Sequence, residues 1–451
     1  MMLGRTARRF LIRTQRARYP ALIMAFAQVN NSTAATAGPT SSSKAALAVV
    51  TSLFFMWGFV TALNDVLIPH LKSIFDLNYT KASLIQFAFF LAYFVFSIPA
   101  ARLIDRIGYK RTMVTGVFVM GAGALLFLPA AAVPSYPLFL GALMVLAGGI
   151  TLLQVAANPY VAVLGPPQTA SSRLNLAQAF NSLGTTIAPL LGGYLILNAA
   201  ALSMDALHRM APDARQAYRV HEASSVKLPY LIIGLALLAL GVLISTFKLP
   251  ALPGAVHQKG DTSDSVCKHR NLVLGILAIF VYVGAEVSIG SFLINYFSQP
   301  NMGNISQSDA SKYLSSYWFC AMVGRFIGSA VLQKVRTGKL LGFAAMVACA
   351  LVCISMLSSG HLAMWSMILI GLFNSVMFPS IFTLGIAELG PLTGDGSGLL
   401  IMAIVGGALI PLSVGFLADR IGLQHSFILP AICYLYIVYY ALKGSKPLVT
   451  A

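Results

Sequence analysis

An aspartate interrupts the first long apolar stretch of this 451-residue chain. Residues 46–70 are predominantly apolar, yet they contain Asn64 and Asp65 a few residues before Pro69. A carboxylate at the centre of a membrane-length helix costs about 2.5–3.5 kcal/mol on insertion scales, so it is kept where it faces water or a polar partner. Asp65 is therefore the first candidate for carrying a proton, and Asn64 beside it is a candidate for contacting a polar substrate.

Carboxamide side chains form a second candidate group, in two later apolar stretches. Gln154 and Asn158 are four residues apart and so share one face of a helix. Asn175, Gln178 and Asn181 follow at intervals of three. An amide both donates and accepts hydrogen bonds, as a sugar hydroxyl does, so this pattern predicts a sugar-binding face. The competing interpretation is packing between helices, where each such bond contributes about 0.6 kcal/mol.

The second half of the chain holds fewer candidates. Glu286 shares a helix face with Tyr282 and is either a cavity acid or the partner of a cation. Asn374 either reaches the same cavity or has a packing role. Arg325 lies within an apolar stretch and needs a counter-charge. Glu388 is one candidate for that charge, and the pair would form a conformational latch.

The composition indicates which elements position these residues. The chain is 58% hydrophobic and 10% charged, with a mean hydropathy of +0.80, whereas soluble domains are about one quarter charged. A net charge of +17 would suggest nucleic acid in a soluble protein, but here Lys and Arg cluster in alternate loops, as the positive-inside rule describes. We predict an all-α polytopic membrane protein with both termini in the cytoplasm and no nucleic-acid partner.

Apolar stretches long enough to cross a bilayer recur twelve times. A polar loop at 249–270 divides them into two sets of six, the plan of transporters built from two bundles of inverted three-helix repeats. We predict a basic flexible arm at 1–45, bundles at 46–248 and 271–451, and a short tail at the end of the second bundle. The predicted spans one to twelve are 46–70, 80–101, 112–129, 136–163, 174–198, 229–248, 271–298, 311–334, 340–358, 361–388, 397–417 and 424–442.

An internal repeat supports this plan. Residues 101–108 and 415–422 both end in Asp-Arg-Ile-Gly, each at the exit of the second helix of a three-helix unit. Glycine ends helices, and aspartate pairs with arginine or with a helix N-terminus. The first copy, with the basic residues that follow it, resembles the loop signature of the major facilitator superfamily. The resemblance implies the major facilitator fold, with twelve helices in two bundles, and gating roles for Asp105, Arg106, Asp419 and Arg420, beside Arg325.

Three longer motifs, at residues 63–69, 154–161 and 172–182, resemble the fucose/glucose/galactose permease family. The similarity covers the chain from about Ala46 to Lys443. In the fucose permeases the span-one aspartate is taken as the proton carrier, a span-four glutamate as a second cavity acid, and span-five amides as sugar contacts. Carried over by motif, these roles fall on Asp65, Gln154, Gln178 and Asn181.

Gln154 departs from the fucose permeases, because an amide cannot titrate. The departure resembles the glucose/galactose branch, and it leaves coupling to Asp65 alone, to Asp65 together with Glu286, or to sodium. The resemblance implies a secondary transporter that takes up a hexose of the glucose/galactose type across the bacterial inner membrane by cation symport, with the proton as the favoured cation. A permease for L-fucose or N-acetylglucosamine, or a sodium-coupled one, remains an alternative, and a transporter-like sugar sensor is an alternative of another class.

The sequence does not indicate an enzyme. It lacks the His-x-x-x-His pattern, the Gly-x-Ser-x-Gly elbow and a nucleotide-binding loop, so neither metal hydrolysis, acyl transfer nor ATP-driven pumping is favoured. We expect no cofactor and no metal ion. The expected partners are a small-molecule sugar, a coupling cation and membrane lipid, and the expected state is a monomer.

Overall fold

The structure is a computed structural model, and it describes residues 41–75, 79–196, 209–252, 265–302 and 305–446. Every regular element in those ranges is a helix, as predicted from the composition. Residues Ala45–Ala451 form one compact unit. Most of the predicted arm at 1–45 and most of the predicted loop at 249–270 lie outside the described residues, so those boundaries stay predictions, although residues 41–45 already belong to the first helix.

Twelve membrane-length segments follow one another in the described ranges, in the predicted order. Spans two and three share one helix that is broken at Gly108, and spans ten, eleven and twelve are each assembled from shorter helices. The spans are Ser41–Phe75 (one), Tyr79–Ala132 (two and three), Tyr136–Val163 (four), Ala170–Ile196 (five), Lys227–Thr246 (six), Arg270–Phe297 (seven), Gln307–Val331 (eight), Thr337–Leu357 (nine), Gly360–Asn374 with Met377–Gly385 (ten), Thr393–Met402 with Gly406–Ile421 (eleven), and Leu423–Ser426 with Ile428–Tyr439 (twelve).

Nine helices of the described residues are long and apolar enough to cross a membrane. Spans two and three count as one of these, and spans five and eight fall outside the set. These two spans carry polar side chains at intervals along their length, so neither offers a wholly apolar surface to lipid. The helices around them must therefore supply partners for those side chains.

A short helix, Pro212–Ser224, lies between spans five and six. Proline at the start and Asp213 in the first turn both favour a helix N-terminus, and the helix contacts Tyr79–Ala132. A short amphipathic helix contains no long apolar stretch, so the apolar pattern of the sequence does not indicate it.

The internal repeat has the same backbone conformation in both copies. Gly108 has φ 78° and ψ 167°, and Gly422 has φ 84° and ψ 152°. Residues with a side chain rarely adopt this backbone conformation of positive φ, so glycine allows the chain to leave one span and enter the next. The two breaks lie at opposite ends of the molecule, because span two and span eleven run in opposite directions. We call the end that carries Gly108 the Gly108 end.

Small residues set the distance between spans three and four. A Cβ atom added to Gly149 would lie 2.4 Å from the backbone nitrogen of Met120, and one added to Gly116 would lie 2.7 Å from that of Leu153. The two backbones therefore touch directly, as small residues permit in membrane helices.

We predict that Gly149→Ala destabilises the protein, because the added methyl group overlaps backbone atoms that cannot move independently. Overpacking of this kind typically costs about 1–3 kcal/mol. Gly141→Ala, on the same span, is the matched control, since an added Cβ there meets nothing within 4 Å. Thermal unfolding in detergent should show a lower Tm for the Gly149 variant only. Equal Tm values for the two variants would contradict the close packing.

Candidate functional site

The predicted amide face of spans four and five exists, and its members are buried. Gln154, Asn158, Gln178 and Asn181 are each at most 8% exposed. Gln178 Nε2 donates to Asn158 Oδ1 at 3.4 Å, which joins the two spans. The sequence-derived expectation that these amides form one group is therefore realised at Asn158 and Gln178. Asn175, the remaining amide of the stripe, turns elsewhere.

Tyr93 of span two is a member of this group that the sequence analysis missed. Its hydroxyl oxygen accepts a hydrogen bond from Gln154 Nε2 at 2.7 Å, and the side chain is buried. Phe89 and Phe90 contact the tyrosine ring. A single hydroxyl within an aromatic run is the signal that was available, since a buried tyrosine usually needs a partner. Tyr93 therefore orients the Gln154 amide.

Asn181 joins span five to span one. Its Nδ2 donates to the carbonyl oxygen of Phe54 at 3.0 Å. A Cβ added to Gly58 would lie 2.2 Å from the carbonyl oxygen of Asn181, so the two backbones approach closely. Span one is the helix that carries the predicted proton carrier, but the side chains of Asn64 and Asp65 lie outside the described part of the structure.

Two buried amide atoms have no hydrogen-bond partner among the described residues. They are Asn158 Nδ2 and Asn175 Oδ1. Leaving such a group unpaired costs about 1–3 kcal/mol. Asn158 Nδ2 belongs to the amide face, so it is a donor available to a hydroxyl-bearing ligand.

A second polar cluster lies within the C-terminal half. The Tyr282 hydroxyl lies within hydrogen-bond distance of Glu286 Oε1, at 2.8 Å, and of the carbonyl oxygen of Asn374, at 3.1 Å. The Asn374 side chain donates from Nδ2 to Tyr317 Oη and accepts at Oδ1 from Tyr434 Oη. Both ends of this amide are therefore held by tyrosines of spans eight and twelve, and the residue lies fully buried.

Arg325 connects the two halves of the molecule, and its partner differs from the expected one. Its Nη1 donates to the carbonyl oxygen of Gln178 at 3.1 Å and to Ser182 Oγ. Asn175 Nδ2 donates in return to the carbonyl oxygen of Arg325 at 2.7 Å. Glu388 is exposed at the end of span ten, so the expected Arg325–Glu388 latch is not what the structure shows. Span five holds the guanidinium instead, through neutral oxygens.

Hydroxyl groups close the Gly108 end between spans five and eight. Ser172 Oγ donates to the carbonyl oxygen of Ser329 at 2.7 Å, and Ser329 Oγ donates to that of Ser172 at 2.9 Å. Ser171 Oγ lies 2.8 Å from Thr337 Oγ1 and 2.6 Å from Thr383 Oγ1. We call these five residues the hydroxyl zipper. They join the two halves without any ionised group.

Spans two and four contact span eleven at the same end, beside the zipper. Ser397 Oγ donates to the carbonyl oxygen of Val155 at 2.7 Å. A Cβ added to Gly394 would lie 3.8 Å from Asp105 Oδ1, which places this carboxylate at the first turn of Thr393–Met402, where a negative charge is favourable. Arg106 is exposed. The predicted gating residue Asp105 thus lies at a contact between the halves.

The second copy of the repeat has a different environment. Asp419 and Arg420 are both exposed, at the end opposite Gly108. The guanidinium of Arg420 lies 4.1 Å from the centroid of the Phe416 ring. The repeat therefore places one Asp-Arg pair at each end of the molecule, and only the first pair lies where the two halves meet in this structure.

The comparisons with known proteins agree with this architecture. A model of the Major Facilitator Superfamily matches residues 45–410. The chain is 52% identical over 411 residues to the glucose/galactose transporter of Brucella abortus (strain 2308), covering 90% of this chain and 96% of the relative. It is 38% identical over 413 residues to the L-fucose-proton symporter of Escherichia coli (strain K12), covering 90% and 94%.

A solved structure has the same fold. The crystal structure of the transporter FucP in the outward conformation superposes with a TM-score of 0.83 at 37% sequence identity, covering 89% of this chain and 98% of that chain. The twelve spans and their order are therefore those of an experimentally determined transporter.

Proposed function

The chain belongs to the major facilitator superfamily, and we propose that it is a symporter that takes up a hexose of the glucose/galactose type together with a proton. The observation that carries this proposal is the buried amide face of spans four and five. Its position 154 is a neutral glutamine held by Tyr93 rather than an acid. The relative cited above at 52% identity is named a glucose/galactose transporter, and the one at 38% identity is named an L-fucose-proton symporter.

The chemistry of the face suits a neutral sugar. A glutamine amide donates to one hydroxyl and accepts from another, whereas an ionised carboxylate only accepts. The unpaired Nδ2 of Asn158 adds a donor. Asn64, Gln154, Asn158, Gln178 and Asn181 form the proposed sugar-binding set, and Glu286 and Asn374 are its proposed members in the C-terminal half.

We assign the protein to the bacterial inner membrane as a monomer surrounded by lipid, with both termini in the cytoplasm. The concentration of Lys and Arg in alternate loops supports this orientation. The Gly108 end is then cytoplasmic, and the hydroxyl zipper closes the cytoplasmic side. The similarity to FucP in its outward conformation supports the same direction of opening.

L-fucose is the second candidate substrate, because a relative named for it is 38% identical over most of the chain. N-acetylglucosamine, sodium coupling and a sensor that binds sugar without moving it are further alternatives that an uptake experiment separates.

We predict that reconstituted protein accumulates labelled D-glucose or D-galactose when an inward pH gradient is imposed, and not when an inward sodium gradient is imposed alone. Unlabelled D-hexoses should compete better than L-fucose, because Gln154 replaces the acid of the fucose permeases. Strong competition by L-fucose and none by D-hexoses would assign the chain to the fucose branch. Binding without uptake under either gradient would favour the sensor.

We predict that Asp65→Asn abolishes uphill accumulation while sugar exchange across the membrane continues. The amide keeps the shape of the side chain but cannot bind and release a proton. Accumulation against a gradient and equilibrium exchange should be measured in the same proteoliposomes. A variant that still concentrates sugar would exclude Asp65 as the proton carrier.

We predict that Gln154→Ala and Gln178→Ala each weaken sugar affinity, because each removes one partner of a buried hydrogen bond. The expected loss is about 1–3 kcal/mol, or roughly five- to 150-fold in Kd. Asn181→Ala should weaken it too, with an added loss of stability from the bond to Phe54. Gln333→Ala is the control, since Gln333 is an exposed amide beyond span eight.

Calorimetric titration with the transported sugar provides the Kd values. Wild-type affinity in all three variants, with folded protein recovered, would mean that the amides only pack and that the sugar binds elsewhere.

A further inference from the structure

Arg325 is a cation whose hydrogen bonds in the described structure are all to neutral groups. Its Nη1 is satisfied by span five, through the Gln178 carbonyl and the Ser182 hydroxyl. Its Nε is buried and has no hydrogen-bond partner among the described residues. A guanidinium held in this way is stable only if a negative charge lies near enough to offset the loss of hydration.

Glu286 supplies that charge. It interacts electrostatically with Arg325, and the hydroxyl of Tyr282 lies 2.8 Å from its Oε1. The side chain is half-buried. The carboxylate therefore neutralises Arg325 at a distance, while the direct bonds of Arg325 remain on span five.

Among the described ionisable groups around Glu286, only Glu286 itself and Arg325 are charged at neutral pH. Tyr282 of span seven, Tyr317 of span eight and Tyr434 of span twelve interact electrostatically with the carboxylate. Tyrosines are uncharged at neutral pH, since their ordinary pKa is about 10. Span ten contributes the backbone carbonyl of Asn374, which lies 3.1 Å from the Tyr282 hydroxyl. Within the described part of the chain, a change in the charge of Glu286 therefore acts on Arg325 without another charged side chain beside the two.

We propose that Glu286 is a second proton-binding residue of this transporter and that Arg325 transmits its protonation to the closed end. When Glu286 takes up a proton at its carboxylate, the positive charge of Arg325 loses its counter-charge. The guanidinium is then more stable in water than against span five. Its bonds to Gln178 and Ser182 break, and the Gly108 end opens between spans five and eight.

The proposal rests on the proposed symport and gives it a direction. A proton that arrives from the side opposite Gly108 favours opening of the Gly108 end, and release of that proton to water there restores the carboxylate and the closed state. Gln178 takes part in both processes, because its side chain belongs to the amide face and its carbonyl oxygen holds Arg325. The charge missing from position 154 is thus replaced by an acid in the other half.

The first test compares Glu286→Gln, which imitates the protonated state, with Glu388→Gln as the control. Glu388 is exposed at the end of span ten. Deuterium uptake in lipid nanodiscs, without sugar, should rise in peptides covering 166–182 and 325–337 of the Glu286 variant, through a shift in opening of roughly five- to 150-fold. D-glucose accumulation driven by a pH gradient should fall while exchange continues. The control should match the wild type in both measurements.

A second set of variants separates charge from packing. Arg325→Gln combined with Glu286→Gln removes both charges, so the double variant should exchange deuterium more slowly at the closed end than Glu286→Gln alone. A packing role predicts losses that add. Glu286→Asp keeps the charge and should retain proton-driven accumulation. This variant provides the test of the proposal if Glu286→Gln does not fold.

Wild-type deuterium uptake and accumulation in Glu286→Gln, additive effects in the double variant, or loss of accumulation in Glu286→Asp would each overturn the proposal. These outcomes distinguish a failure of the proposed hexose symport from a failure of the proposed role of Glu286. If the wild type takes up no hexose but the exchange pattern follows the charges, the symport assignment fails and the charge-coupled gate stands. If hexose uptake is proton-driven but independent of Glu286, the symport assignment stands and this inference fails.

Discussion

The hydrogen-bonding requirement of span five shapes the centre of this protein. Inside a bilayer there is no water to satisfy polar side chains, so each must find a partner within the protein. Span five carries amides and hydroxyls on several faces, and the structure gives each face a neighbour. Asn158 of span four, the Phe54 carbonyl of span one and Arg325 of span eight are among those neighbours.

Span eight is the counterpart of span five in the other half. Both lie outside the set of helices apolar enough to span a membrane unaided, and they pair with each other through the reciprocal bonds of Ser172 and Ser329. A neutral hydrogen bond contributes about 0.5–1.5 kcal/mol net. A few such bonds hold one end closed, yet their sum stays within the few kcal/mol that separate two interconverting conformations.

The distribution of charged residues differs between the two halves. Position 154 holds a neutral amide oriented by Tyr93, so the described part of the amide face carries no ionised group. The C-terminal half holds Glu286 and Arg325 among tyrosines that are neutral at physiological pH. Among the described residues, the buried amide face and the Glu286–Arg325 charges therefore lie in different halves, and the backbone carbonyl of Gln178 accepts a hydrogen bond from Arg325 across them.

The sequence alone determined much of the fold. Apolar length and the position of Lys and Arg gave the twelve spans, because crossing a bilayer demands about twenty apolar residues regardless of tertiary contacts. The repeated Asp-Arg-Ile-Gly motif gave the breaks at Gly108 and Gly422, because few residues other than glycine tolerate that backbone conformation. The spacing of Gln154 and Asn158 gave the span-four part of the amide face, since helical periodicity fixes which side chains of one helix share a side.

Only the tertiary structure decided the partners. The aromatic run around Tyr93 did not indicate that Gln154 is its partner, and Glu388 was one candidate partner of Arg325, which bonds to span five instead. The sequence offers charge as the guide to a partner, whereas the fold brings a backbone carbonyl and a serine hydroxyl within reach instead. Periodicity describes one helix at a time, and the contacts between helices depend on how twelve of them pack. That packing is set by glycines such as Gly149, whose neighbours the sequence does not name.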